Sequence, residues 1–287
     1  YANLEFDFAK EFDINFGALI QKLNGIDTVI FVGGLSTLLE GEEMPVSYPG
    51  FKGGDRTNIE LPAVQRKCLQ ELKKAGKKVV FVNCSGSAIA FAPETSSCDA
   101  ILQAWYPGES GGQAVADVLF GDYNPAGKLP VSFYKNSDIL GDFEDYSMKG
   151  RTYRYTTDVL FPFGFGLSYS KFDIGTAELS NPKIKSNEST QLSFSIKNSS
   201  KRDGTEIVQV YVRKLNDIDG PLKTLKAFKR INLKAGESQN VTIDLPSSSF
   251  EFYDQNTRNM RVTPGEYEVY YGNSSKSLKM KLEYLKF

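Results

Sequence analysis

The 287-residue sequence contains no histidine. That absence excludes a Ser-His-Asp triad or a Cys-His dyad within the chain and removes the commonest metal ligand. Cysteine is scarce. Cys68, Cys84 and Cys98 show no CxxC spacing, so neither a structural zinc site nor a disulfide scaffold is expected. Neither sign of charge dominates: 34 Lys and Arg stand against 35 Asp and Glu, a net charge of −1. A near-neutral chain has no global basic field for nucleic acid or an anionic membrane surface. No apolar run approaches the roughly 18–20 residues of a membrane span. An initiating Met is missing too. The start at Tyr1, without a signal-peptide pattern, is read as that of a processed or partial chain, with the partial reading preferred.

What is present falls into two halves with different periodicities. Phe16 to Leu23, Gln65 to Ala75 and Gly112 to Phe120 space their apolar residues as amphipathic helices do. Between them, Thr28 to Gly34, Val79 to Val82 and Ala100 to Gln103 are short apolar runs. The first reads as a strand buried on both faces. Such alternation implies a parallel sheet with helices on its faces, whose functional loops lie at the carboxyl ends of the strands. Those ends are Gly33-Gly34, Asn83 to Ser87 and Ala104 to Gly111. Leu129 to Tyr134 reads as a further strand. From about Phe172, period-two runs take over at Gln191–Lys197, Ile207–Arg213, Leu225–Leu233, Asn240–Leu245, Tyr267–Gly272 and Leu278–Tyr284. Turn pairs such as Asp203-Gly204 and Pro264-Gly265 separate them, the pattern of an antiparallel β-sandwich. The segment from Asp142 to Tyr169, rich in Gly, Tyr and Phe, reads as an ordered connector.

Three short motifs carry little chemistry. Gly121 to Lys128 looks like a phosphate-binding loop, but the spacing is one residue too long and Leu129 stands where a metal-binding hydroxyl belongs. Cys84-Ser85-Gly86-Ser87 follows a strand, yet it lacks the G-x-S-x-G pattern and has no His for a base. The sequons at Asn187 and Asn240 are short enough to arise by chance.

The acidic loop after the first strand is more informative. Glu40, Glu42 and Glu43 lie within four residues, near a strand's carboxyl end. Crowded carboxylates raise the pKa of at least one, and a carboxylic acid kept protonated near neutrality can serve as a general acid. A solvated acidic loop is the plainer reading. Arg56 could pair with one carboxylate in either case.

Several long motifs, in order, give the chain a resemblance to glycoside hydrolase family 3, the β-glucosidase and β-xylosidase family. They are VIFVGGLSTLLEGEEM (29–44), GGDRTNIELPAVQ (53–65) and AWYPGESGGQAVADVLFGDYNPAGKLPVSFY (104–134). YSMKGRTYRY (146–155), FPFGFGLSYSKF (161–172), and EIVQVYVR with LKAFKRINLKAGES (206–213 and 225–238) complete the set. The resemblance implies a fold of α/β plus all-β class. A mostly parallel α/β/α sandwich domain (residues 1–141, truncated at its start) is followed by a connector (142–171) and an immunoglobulin-like, fibronectin-III-like β-sandwich (172–287). It also implies a missing N-terminal (β/α)8 barrel that carries the Asp nucleophile, while a loop of the α/β domain supplies the acid/base Glu.

Carried over residue by residue, the family's Glu-x-Glu pattern before an Asp-Arg pair falls on Glu40-Gly41-Glu42, and Glu42 takes the catalytic position. The sequence inserts 12 residues, Glu43 to Gly54, before Asp55-Arg56, so Glu43 is the second candidate and Glu40 the third. The implied activity is that of a retaining exo-acting β-glycosidase on glucosides or xylosides. Its partner is an oligosaccharide or glycoside substrate, and neither metal nor cofactor is required. An exported, periplasmic or extracellular location is expected. The alternative is a non-catalytic carbohydrate-binding or interaction module in which Trp105 and the connector tyrosines stack on sugars.

Overall fold

The computed structural model describes residues 14–41, 43–276 and 278–286. The start of the acidic and aromatic segment from Tyr1 lies outside the described residues. The chain divides into two compact units. One runs through Leu119 and takes in Phe133–Phe143; the other takes Phe120–Ser132 and the chain from Glu144 onward.

The first unit begins with helix α1 (Phe16–Lys22), capped by the Asn15 side chain, which accepts the Ala18 amide. Strand β1 (Thr28–Gly34) follows. Next come three two-residue strands, β2 (Ser47–Tyr48), β3 (Phe51–Lys52) and β4 (Asp55–Arg56), which form an antiparallel meander. Helix α2 (Ala63–Lys74) ends at Gly76, whose φ of 74° suits a residue without Cβ. Then come β5 (Lys78–Cys84), the short α3 (Glu94–Ser97), β6 (Ala100–Gln103) and α4 (Gly111–Phe120). Strands β1, β5 and β6 pair in that order, all parallel, with Phe31 beside Phe81 and Val82 beside Leu102. One face of this sheet is the core. Phe31 and Phe81 meet edge to face, Phe81 meets Phe91, and Phe91 stacks on Phe133.

Two expectations need correction. β1 is not buried on both faces: Ile30 is 46% exposed and Val32 is 65% exposed. A β-branched run looks alike in sequence whether one face or two are covered. Leu129 to Tyr134 is not a strand either. Pro130 has no amide to donate, and Leu129 is tied to a segment further along the chain rather than to a neighbouring strand. Leu129 N–H donates to Phe165 O and Gly164 N–H donates to Leu129 O, at 2.8 Å each.

The second unit holds a short helix, α5 (Thr152–Tyr155), then β7 (Phe172–Leu179), β8 (Thr190–Asn198), β9 (Gly204–Lys214), β10 (Thr224–Leu233) and β11 (Ser238–Leu245). β12 (Phe252–Asp254) and β13 (Asn259–Arg261) form a hairpin, and β14 (Glu266–Gly272) and β15 (Leu278–Lys286) close the chain. The sheets are β10-β9-β14-β15 and β11-β8-β7, antiparallel throughout. Strict alternation in β8 places Leu192, Phe194 and Ile196 against Val208, Val210 and Val212 of β9 in one apolar core. The Tyr271 hydroxyl links the sheets: it accepts the Ala177 amide and donates to Gly175 O, both at 3.0 Å.

The aromatic segment before β7 belongs to this unit. Tyr153 stacks on Phe163 at 4.3 Å and its hydroxyl accepts the Leu225 amide. Lys128, the cation of the false phosphate loop, is committed to a buried ion pair with Glu206 at 2.7 Å and to Gly166 O.

Candidate active site

The carboxyl ends of the three parallel strands are organised by buried polar groups. Gly34, at φ 120°, lies against the Cys84 carbonyl, where any Cβ would collide. Its amide donates to Gln65 Oε1 and its carbonyl accepts from Gln65 Nε2, both at 2.8 Å. Gln65 is 2% exposed, so this helix residue locks the start of the acidic loop onto α2. Leu35 N–H then donates to Cys84 O at 2.8 Å. On β5, Asn83 donates to Ser85 Oγ and to Gln103 Oε1, and Ser85 donates to the Ser87 carbonyl. These bonds make a rigid shelf of Ser85 to Ala88.

The insertion before Asp55 returns on itself. The β2–β4 meander turns through Gly53 and Gly54, both at positive φ (65° and 91°). Gly41 N–H donates to Gly54 O at 3.2 Å, and Met44 N–H donates to Gly53 O at 2.9 Å. The two ends of the inserted stretch are therefore hydrogen-bonded neighbours, and Asp55-Arg56 comes back beside Glu40-Gly41.

Glu40, Gly41, Gly54, Asp55, Arg56, Ile59, Ser87 and Ala88 surround an open cleft of about 390 Å3. Within it, Ser87 Oγ donates to Glu40 Oε1 at 2.6 Å and accepts from Arg56 at 3.0 Å. The remaining Arg56 donors reach the Asn58, Ala88 and Glu60 carbonyls. Burial lowers the Arg56 pKa from its ordinary value, against the pull of the Glu40 and Glu60 carboxylates. Tyr106, from the loop after β6, covers Gly86. Burial raises the pKa of its phenol, the Gly86 amide opposes that, and the Glu40 charge adds to it. Sequence reasoning singled out Glu40 and Arg56, placed Ser87 and Tyr106 only within the functional loops at the strand ends, and gave Gln65 no role in a site.

Of the three acidic candidates, Glu40 lies half-buried in the cleft. Glu43 is exposed, in a left-handed turn at φ 49°. Glu42 lies outside the described residues. Burial pushes the Cys84 thiol above its ordinary pKa, which disfavours a nucleophilic thiolate there. Trp105 packs edge-on against Phe133, with ring centroids 6.1 Å apart. Among the described residues, no three His, Cys, Asp or Glu side chains are placed to hold a metal ion, and no helix is long and apolar enough to cross a membrane.

Comparison with known proteins identifies the two domains. The family model for the glycosyl hydrolase family 3 C-terminal domain matches residues 10–169, and the fibronectin type III-like domain model matches residues 206–275. A xylan 1,4-beta-xylosidase of Xylanibacter ruminicola is 55% identical over 280 residues, 98% of this chain and 32% of that protein. A periplasmic beta-glucosidase of Salmonella typhimurium is 35% identical over 242 residues, 79% of this chain and again 32% of the relative. The crystal structure of a beta-glucosidase from Listeria innocua in complex with glucose superposes with a TM-score of 0.82 at 28% identity, over 97% of this chain and 39% of the other. The chain thus spans about a third of the length of the two sequence relatives (32% of each). Two domain models in succession, matched over an α/β unit and a β-sandwich, leave one assignment: the chain belongs to glycosyl hydrolase family 3 and carries its C-terminal domain together with a fibronectin type III-like domain.

Proposed function

We propose that this chain is the C-terminal part of a retaining, exo-acting β-glycosidase and supplies its acid/base, Glu42. The observation that carries the reading is the closed insertion. With Met44 bonded to Gly53 and Gly41 bonded to Gly54, the acidic loop stands beside Asp55-Arg56 at the carboxyl end of β1, despite the inserted residues. Glu40 is already engaged by Ser87 and Glu43 is exposed in a left-handed turn, so the assignment stays on Glu42, the position the family pattern gives. The nucleophilic carboxylate comes from a (β/α)8 barrel in the remainder of the protein, roughly 5–5.5 Å from Glu42 as retention requires. Glu42 protonates the departing glycosidic oxygen, and its carboxylate then takes a proton from the water that releases the sugar. β-Xylosides are the first substrates to test, given the 55% identity to a xylosidase, with β-glucosides second. An exported location fits the periplasmic relative.

The test is Glu42→Ala in the full-length enzyme. Turnover of substrates with poor leaving groups falls by about 10²–10⁴-fold. Activated aryl glycosides still form the covalent intermediate, and azide restores turnover with retained β-configuration. Azide rescue at Glu43→Ala instead would move the acid/base by one residue. Rescue at none of Glu40, Glu42 and Glu43 would place it outside this loop.

A further inference from the structure

Glu40 is a carboxylate that lines the cleft, and its hydrogen bonds tie it to the neighbouring segments. Its Oε1 accepts the Ser87 hydroxyl at 2.6 Å, and the same hydroxyl oxygen accepts from Arg56 at 3.0 Å. A serine hydroxyl has one proton to give, and here it goes to the carboxylate. Ser87 is fixed on both sides. Its carbonyl accepts from Ser85 Oγ at 2.8 Å, and Ser85 in turn accepts from Asn83 and Gln103. Arg56 is fixed by three backbone carbonyls. The Glu40 backbone is held by its amide bond to Ser36 O, and the next residue, Gly41, is bonded to Gly54. The carboxylate therefore ties together segments from the ends of β1, β4 and β5, and the adjoining stretch of loop is the one that carries Glu42.

We propose that Glu40 is the positioning residue of the acid/base loop: through Ser87 and Arg56 its carboxylate anchors Glu40 and Gly41, the residues that lead into Glu42, to the shelf at the carboxyl end of β5. This rests on the reading of Glu42 as the acid/base. Without the anchor, the loop keeps its backbone bonds, among them those of the Gly41 and Met44 amides, but loses its tie to the shelf, and a displacement of about 1 Å at a reacting group can lower a rate by about 10²-fold.

Two measurements on the full-length enzyme test this. The first is hydrogen–deuterium exchange of peptides covering Leu35–Val46, with the Lys78–Cys84 strand as the control for folding. In Glu40→Ala and in Ser87→Ala, exchange at the Gly41 and Met44 amides speeds up by about 10- to 100-fold, the range for loss of a hydrogen bond to a charged group. The β5 peptide is unchanged. Glu40→Gln, whose amide oxygen still accepts the Ser87 hydroxyl, recovers most of the protection.

The second is kinetic. Glu40→Ala lowers kcat on substrates with poor leaving groups by about 10- to 100-fold, leaves KM unchanged, gains nothing from azide, and is largely corrected in Glu40→Gln. Unchanged exchange at Gly41 and Met44 in both Ala variants overturns the proposal, as does azide rescue of Glu40→Ala, which would make Glu40 the proton donor. If Glu42→Ala shows no azide rescue while Glu40→Ala still loosens the loop, the acid/base reading falls and the anchor stands.

Discussion

In the β-sandwich, Leu192, Ile196, Val208, Val210, Val212 and Val269 are wholly excluded from solvent, whereas in the three-stranded parallel sheet Ile30 and Val32 are 46% and 65% exposed. The sandwich closes two apolar faces on each other. The parallel sheet packs the face of Phe31 and Phe81 and leaves the opposite side of β1 open among the described residues. Buried polar side chains serve both units differently. In the sandwich, Gln209 donates to the Gly164 and Asn273 carbonyls and fastens chain segments to the sheet. In the α/β unit, Gln65, Asn83 and Ser85 shape the loops that enclose the cleft. Stability in one unit follows mainly from apolar closure. In the other, a share of the buried hydrogen bonding goes into holding a site.

Two ion pairs with buried carboxylates, one in each unit, give the strongest way to probe that contrast. Arg66 meets Glu94 at 2.6 Å, with the carboxylate 1% exposed, and Lys128 meets Glu206 at 2.7 Å, with side chains 11% and 6% exposed. Arg66→Met and Lys128→Met each strand a buried carboxylate, and each should cost about 3–5 kcal/mol in denaturant unfolding. If they lower separate unfolding transitions, the units fold independently. A single shared transition would erase the distinction.

A smaller and sharper test compares apolar faces. Leu192→Ala should cost about 2–5 kcal/mol, because it opens a cavity in a filled core. Ile30→Ala should change stability by no more than about 0.5 kcal/mol, as at other exposed positions. Equal losses would mean that the open face of β1 is covered in the native protein.

The smallest effect concerns pH. Burial pushes the Glu60 carboxyl pKa up, but the Ser137 hydroxyl and amide, at 2.6 and 2.8 Å, outweigh it, and the folded pKa lies below the ordinary 4.5. A depressed carboxyl pKa stabilises the fold above the unfolded value, and that stability is lost as pH falls through the folded one. Ser137→Ala removes the hydroxyl bond and should raise the Glu60 pKa. The midpoint of acid unfolding should then move to higher pH. An unmoved midpoint would show that the backbone amide alone holds Glu60.

Much of the fold is legible in the residues. Period-two alternation in Gln191–Lys197 and Asn240–Leu245 marks β8 and β11 to within two residues. Apolar spacing and Gly76 mark α2. The runs at Val79 and Ala100 mark β5 and β6. The same reasoning takes Leu129–Tyr134 for a strand, because hydrophobic content near a turn does not reveal whether a partner strand exists. The tiny meander at 47–56 leaves no periodic trace, since two-residue strands are too short to have a period.

The candidate site divides along the same line. Its address, a loop with three carboxylates at the end of the first parallel strand, is written locally in Leu35 to Met44 and in the long family motifs. Its wiring is not. Glu40 finds Ser87 across 47 positions, Arg56 finds the same hydroxyl across 31, and Gly34 finds Gln65 across 31. Sequence spacing determines which residues share a helix face or strand face, because those periods are set by backbone geometry. That Glu40 is pinned depends on hydrogen bonds between segments that only chain folding brings together, and so it was decided by the tertiary structure alone.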